Sequence, residues 1–236
     1  MTTYGLYLES GPRRRKTMVH VLDLPGCVAV GPTTEDAIAA TPDAVRAYLR
    51  FLRRHCESVD PDAPFDTQVV EHITEGDWLG NGSPYIAFGP DFEPVSDTEI
   101  ETYLERFHWL CEELGNWAAT QTASQLDTPP RNGRTARAIL LHVLGANYLA
   151  SALGSAPGFS ALHGATERGE ISLMEAFQRA AQMAAERVRA TTPEERAAVR
   201  ELSSGPRTLR KALRRMLEHS WEHLAELSRR PGGPTL

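Results

Sequence analysis

The sequence predicts an α+β protein in two parts, a small β-β-β-α-β domain followed by an all-α four-helix bundle. Three observations predict it. Short β-rich runs and one helix occupy residues 1–75, a Gly- and Pro-rich interval follows at 76–95, and long helical-period runs fill 96–230, leaving 231–236 as a tail.

In the first part, Thr3 to Leu8 places Tyr4, Leu6 and Leu8 on one side, and Thr17 to Asp23 is β-rich. Cys27 to Gly31 reads as a third strand after the turn Leu24-Pro25-Gly26. Thr33, with Asp36 three residues on, caps a helix running through Ala44, Val45, Tyr48, Leu49 and Leu52 toward Cys56, which Pro42 is expected to kink or restart. Asp66 to Ile73 supplies the fourth strand. The interval Glu75 to Pro94 carries Trp78, Tyr85, Phe88 and Phe92, more aromatic surface than a flexible linker has, so it is expected to pack on the domains. Shielding of a ligand pocket by Trp78 and Tyr85 is the alternative.

The second part opens with Ser96 and Glu99, a capping box for a helix to about Ser124. Pro129-Pro130 and Asn132-Gly133 turn the chain into an apolar helix from about Arg134 to Leu153, read as the most buried of the bundle. A loop with Gly154, Pro157, Gly158 and Gly164 follows, and Ser172 with Glu175 opens a helix to about Ala190. Thr192-Pro193-Glu194-Glu195 caps a short helix, and Gly205-Pro206 precedes the last one.

Three histidines in this part carry the functional signal. His219 and His223 stand four apart, so both rings rise from one helical face about 6 Å apart along the axis and can lean toward one ion at about 2.1 Å. On a helical wheel they flank the stripe of Leu209, Leu213, Met216, Leu217, Ser220, Leu224 and Leu227. His142 lies inside the apolar run Ala138 to Leu144, where a buried imidazole needs partners for both nitrogens. Three neutral imidazoles from two helices would leave one coordination position open, the pattern of a catalytic site. Glu218 and Glu222 turn away from the pair on the wheel, Tyr148 is a candidate to reach the pocket, and His108, His20 and His163 read as ordinary polar residues.

Composition excludes several classes. The 236 residues carry a net charge of −6, against general nucleic-acid binding, and the run Arg13-Arg14-Arg15-Lys16 reads as an exposed hairpin turn. Cys27, Cys56 and Cys111 are few and far apart, so neither a disulfide framework nor a thiolate cluster is expected. The start has no signal-peptide pattern and no apolar run of 18 residues is expected, so the chain reads as cytoplasmic, with no membrane partner. Phosphate loops and a nucleophile elbow are missing from the sequence.

From about Ser96 to Arg230 the chain resembles the DinB-like superfamily of four-helix bundles, through Leu140-Leu141-His142-Val143-Leu144 and through Thr208-Leu209-Arg210 to His219-Ser220-Trp221-Glu222-His223. That resemblance implies a divalent metal, zinc or nickel, on His142, His219 and His223, and a homodimer. It further implies a thiol S-transferase, in which the metal stabilises the thiolate of a low-molecular-weight thiol cosubstrate that attacks a small electrophile. The same site also suits water activation for hydrolysis. Leu24-Pro25-Gly26-Cys27-Val28-Ala29-Val30-Gly31 followed by Thr33-Thr34-Glu35-Asp36-Ala37-Ile38 resembles the HicB-like antitoxin domain, a β-β-β-α-β unit. In antitoxins a DNA-binding segment usually follows; here the helical part takes its place. Two function classes therefore stand open, a metal-dependent transferase and a non-catalytic binding or stress-response regulator with the bundle as scaffold.

Overall fold

The computed structural model describes residues 1–11 and 16–236, so the predicted basic turn at Arg13 to Arg15 lies outside the described residues. The fold is α+β, with a small mixed sheet and a helical remainder. Strands β1 (Thr2–Ser10), β2 (Thr17–Val21) and β3 (Val28–Gly31) precede helix α1 (Thr34–Arg54) and strand β4 (Phe65–Ile73). The sheet order is β3-β2-β1-β4, with β1 antiparallel to β2 and parallel to β4.

Both faces of β1 and β2 are covered, each for a reason visible in the register. Ser10 and Thr17 stand opposite one another, and Ser10 Oγ also reaches Thr34 Oγ1 at 3.2 Å, which seats the first turn of α1 on that face. Tyr7 and His20 stand opposite one another on the other face, and the ring of Phe88 lies 5.4 and 5.2 Å from theirs. The interval after β4 is thus pinned to the sheet. Leu79, Phe88 and Asp91 are buried, and the buried Glu9 carboxylate accepts the backbone N–H groups of Gly82 and Ser83. Trp78 is 69% exposed.

Helix α1 begins as read, with Thr33 Oγ1 accepting the Asp36 N–H at 3.0 Å. Pro42 neither ends nor restarts it, because one element runs from Thr34 to Arg54. The lost N–H and the clash cost about 3 kcal/mol; burial of Val45, Tyr48, Leu49, Phe51 and Leu52 beyond the proline offsets that.

The helical remainder comprises α2 (Asp97–Thr120), α3 (Ala123–Asp127), α4 (Ala136–Gly145), α5 (Tyr148–Leu153), α6 (Phe159–Glu167), α7 (Leu173–Arg189), α8 (Pro193–Ala197) and α9 (Leu209–Ser228). Helix α2 packs along α7 and α9, and α9 in turn meets α4 and α5. One contiguous apolar cluster joins the sheet to these helices, with Trp221 of α9 placed 4.9 Å from Tyr48 and 5.2 Å from Phe51 of α1.

Several local expectations are corrected here. The first long helix ends at Thr120, where Thr122 with Gln125 caps a new one. The apolar helix breaks at Ala146–Asn147, since Asn147 caps α5 by accepting the Ala150 N–H at 3.1 Å. The Gly-rich segment contains α6, which Gly158 opens in a left-handed conformation at φ +90°. Arg200–Leu202 and Gly205–Arg207 form a two-stranded hairpin ahead of α9. Contrary to expectation, the stretch Ala136–Leu153 is long and apolar enough to meet the length and composition test for a membrane span, with a mean hydropathy of 1.3. It is broken in the middle, and the test alone does not separate a span from a core helix.

Candidate metal centre

The most buried helix is α9, not α4. Every residue from Lys211 to Trp221 is buried, including Lys211, Arg214, Arg215 and Glu218. Those charges are accommodated by pairing rather than by turning to solvent. Arg214 clasps Asp91 through two hydrogen bonds of 2.9 and 2.7 Å and reaches Glu218 at 2.9 Å. Arg215 donates to Glu218 at 2.8 Å, and His20 of β2 stands 2.9 Å from the same carboxylate. Burial pushes the Glu218 carboxyl up, but Arg214, His20 and Arg215 outweigh it and hold the group well below its usual range. His20, read as an ordinary polar residue, is therefore a buried partner that ties the sheet to α9. Glu218 does turn away from the histidine pair, as the wheel indicated.

One residue along, the chemistry changes. His219 and His223 are each 7% exposed, and both rings meet that of His142 across from α4. Ring centroids lie 4.8 Å apart for His142 and His219, 5.1 Å for His142 and His223, and 4.6 Å for His219 and His223. One nitrogen from each ring falls within 4.8 Å of the others, and Nε2 of His142 lies 3.0 Å from Nε2 of His219. Two imidazole nitrogens held at about 2.1 Å by a tetrahedral ion stand about 3.4 Å apart, close to the 3.0 Å of the His142–His219 pair, and small ring rotations that draw the widest separation in from 4.8 Å would complete such a donor set. The expectation that His142 is buried is wrong. It is solvent-exposed, because α4 turns its apolar stripe of Ile139, Leu140 and Val143 inward and leaves His142 at the rim.

Electrostatics favour the neutral, ligating form. Burial lowers the His219 pKa well below the usual histidine value, reinforced by His223 and Arg215. Although His142 sits exposed at the rim, partial desolvation of its ring and the facing His223 also lower its pKa. A neutral imidazole keeps the lone pair that a cation requires. His223 stands with Nδ1 2.8 Å from Glu226 Oε2; the carboxylate accepts a hydrogen bond from Nδ1–H, which leaves the lone pair on Nε2 for the shared space. Glu226 is itself steadied by Arg134 at 3.4 Å and Arg230 at 3.2 Å. Burial pushes its carboxyl up, and the His223 hydrogen bond with the two guanidinium charges brings it below normal. Sequence reasoning missed Glu226, although its position three residues after His223 on the same helix was the available signal.

Tyr148 reaches the site, with its ring 5.8 Å from that of His219 and the Arg215 guanidinium 5.9 Å from its centre. A cavity of about 30 Å³ lies beside His219, bounded by Tyr148, Phe107, Phe159, Phe177 and Met216. His108 lies on the exposed side of α2 and His163 is half-buried on α6, where its ring packs against Gly145; neither joins the triad.

No family model matches this chain, and no solved structure matches it. A UPF0150 protein of Thermoplasma acidophilum is 38% identical over 45 residues, a match covering 19% of this chain and 65% of that protein. UPF0150 is a HicB-like family, and the similarity fits an N-terminal HicB-like part, in keeping with the mixed sheet of the α+β fold.

Proposed function

We propose that the chain is a divalent-metal-dependent enzyme of the DinB-like type, a thiol S-transferase acting on small electrophiles. The observation that carries this reading is the convergence of the His142, His219 and His223 nitrogens within 4.8 Å. A single N–H between two rings satisfies one pair of acceptors; one cation satisfies all three. Zinc or nickel would be held by these rings, with Glu226 orienting His223. When bound, the ion supplies a Lewis acid that favours the thiolate of a low-molecular-weight thiol, or the hydroxide of water. Tyr148 and the apolar walls beside His219 exclude bulk water from one side of the site. In this reading residues 96–230 form a four-helix bundle, residues 1–75 a HicB-like domain and 76–95 a packed linker, and two chains associate as a homodimer.

Metal analysis of purified protein tests it. About one divalent ion per chain is expected, lost in His219→Ala and His223→Ala; no stoichiometric metal in the wild type overturns it. The second reading, a non-catalytic regulator whose HicB-like part binds a partner, is favoured by the similarity to the UPF0150 protein and predicts no metal dependence.

A further inference from the structure

The geometry points to a specificity slot: we propose that the cavity beside His219 receives a short apolar tail of the molecule bound at the histidine site, so that this site selects uncharged small alkyl thiols or electrophiles. The inference rests on the metal reading and goes beyond it by naming the chemical class of the ligand.

Three features support it. First, the slot shares a wall with the site, since His219 forms part of its lining together with Tyr148, whose ring lies 5.8 Å from that of His219. Second, most of its other walls are aromatic or aliphatic, among them Phe107, Phe159 and Phe177, with Asn147 and Ser220 as polar members. Among the described residues no charged side chain lines it, and Asn147 Oδ1 and Ser220 Oγ are already engaged with the Ala150 N–H and the Met216 carbonyl, so a carboxylate or ammonium entering it would lose its hydration for little in return. The thiol of Cys111 also lines it, but burial pushes that thiol far up, keeping it protonated and effectively apolar. Third, its size sets a limit. A cavity of about 30 Å³ has room for about two methyl-sized groups, since one water-sized probe needs about 10–15 Å³. The tail is therefore two to three carbons long.

The test is calorimetric titration of zinc-loaded protein with ethanethiol, propanethiol, butanethiol and 2-aminoethanethiol. Affinity is expected to rise about fourfold for each methylene that enters the slot and to level off after propanethiol, with the charged 2-aminoethanethiol weaker than propanethiol. Ala180→Leu, which fills one wall, removes the rise while zinc content stays at the wild-type level. Phe177→Leu, which widens the slot, moves the plateau to a longer chain and keeps the proposal testable should the first variant not fold. Zinc bound at full stoichiometry with no dependence on chain length overturns the slot and leaves the metal site standing. Failure to bind zinc at all removes the metal reading and the slot with it.

Discussion

Glu218 and His219 are adjacent on α9 and both buried, yet they belong to opposite kinds of structure. Glu218 faces the sheet, where Arg214, Arg215 and His20 surround it with complementary groups. His219 faces α4, where its neighbours are two further imidazoles with the same acceptor chemistry. In the first arrangement the Glu218 carboxylate is fully paired within the protein, although among the described residues His20 Nε2 and Arg215 Nε make no hydrogen bond, and the cluster holds two halves of the chain together. The second is one that like groups adopt around a shared cation. Burial alone does not separate structural from functional polar residues; the complementarity of their partners does.

The largest effect is expected at Glu218. Glu218→Gln leaves Arg214 and Arg215 buried with less compensating charge, and a loss of about 3–5 kcal/mol in denaturant unfolding is expected. The metal affinity of the protein that remains folded should stay near the wild-type value. His219→Ala should do the reverse, removing metal while changing the unfolding free energy of the metal-free protein by far less. Equal losses in the two variants would erase the distinction.

Lys211 sharpens the same contrast, because this buried cation has carbonyls rather than a carboxylate as partners, Pro84 at 2.8 Å and Pro206 at 2.9 Å. Burial, with Arg207 and Arg214 nearby, lowers its pKa to about 7. Between pH 7 and its ordinary value the unfolded chain binds the proton that the folded chain has released, so stability rises with pH across that window. The rise amounts to at most about 4 kcal/mol, and Lys211→Met should flatten it in unfolding curves measured from pH 7 to 10. An unchanged pH profile would show that the ammonium stays charged in the fold.

The smallest effect is expected at Glu226, which orients a ligand rather than supplying one. Glu226→Gln should weaken metal affinity about 10–100-fold in a competitive chelator titration while keeping the stoichiometry. Wild-type affinity in the variant would show that His223 needs no orienting partner.

Much of this was legible in the residues. The β-β-β-α-β succession along the chain, the caps at Thr33, Ser96, Ser172 and Thr192, and the three histidines followed from local rules, because a cap or an i, i+4 pair is decided within one turn. What escaped depended on partners distant in sequence. Apolar count made α4 look like the central helix, whereas α9, with buried Lys211, Arg214, Arg215 and Glu218, occupies that place because Asp91 and His20 arrive from other segments. The exposure of His142 escaped for the same reason, as only the packing of Ile139 and Leu140 shows which side of α4 faces in. The break at Asn147 and the hairpin before α9 were local but carried weak signals, a single capping residue and a short Ser-Ser-Gly turn.

Anomalous diffraction at the zinc edge, from crystals of zinc-loaded protein, tests the shared-cation claim most directly. One peak about 2.1 Å from a nitrogen of each of His142, His219 and His223 is the predicted result. A peak bound elsewhere, or none between these rings at full zinc loading, would contradict it.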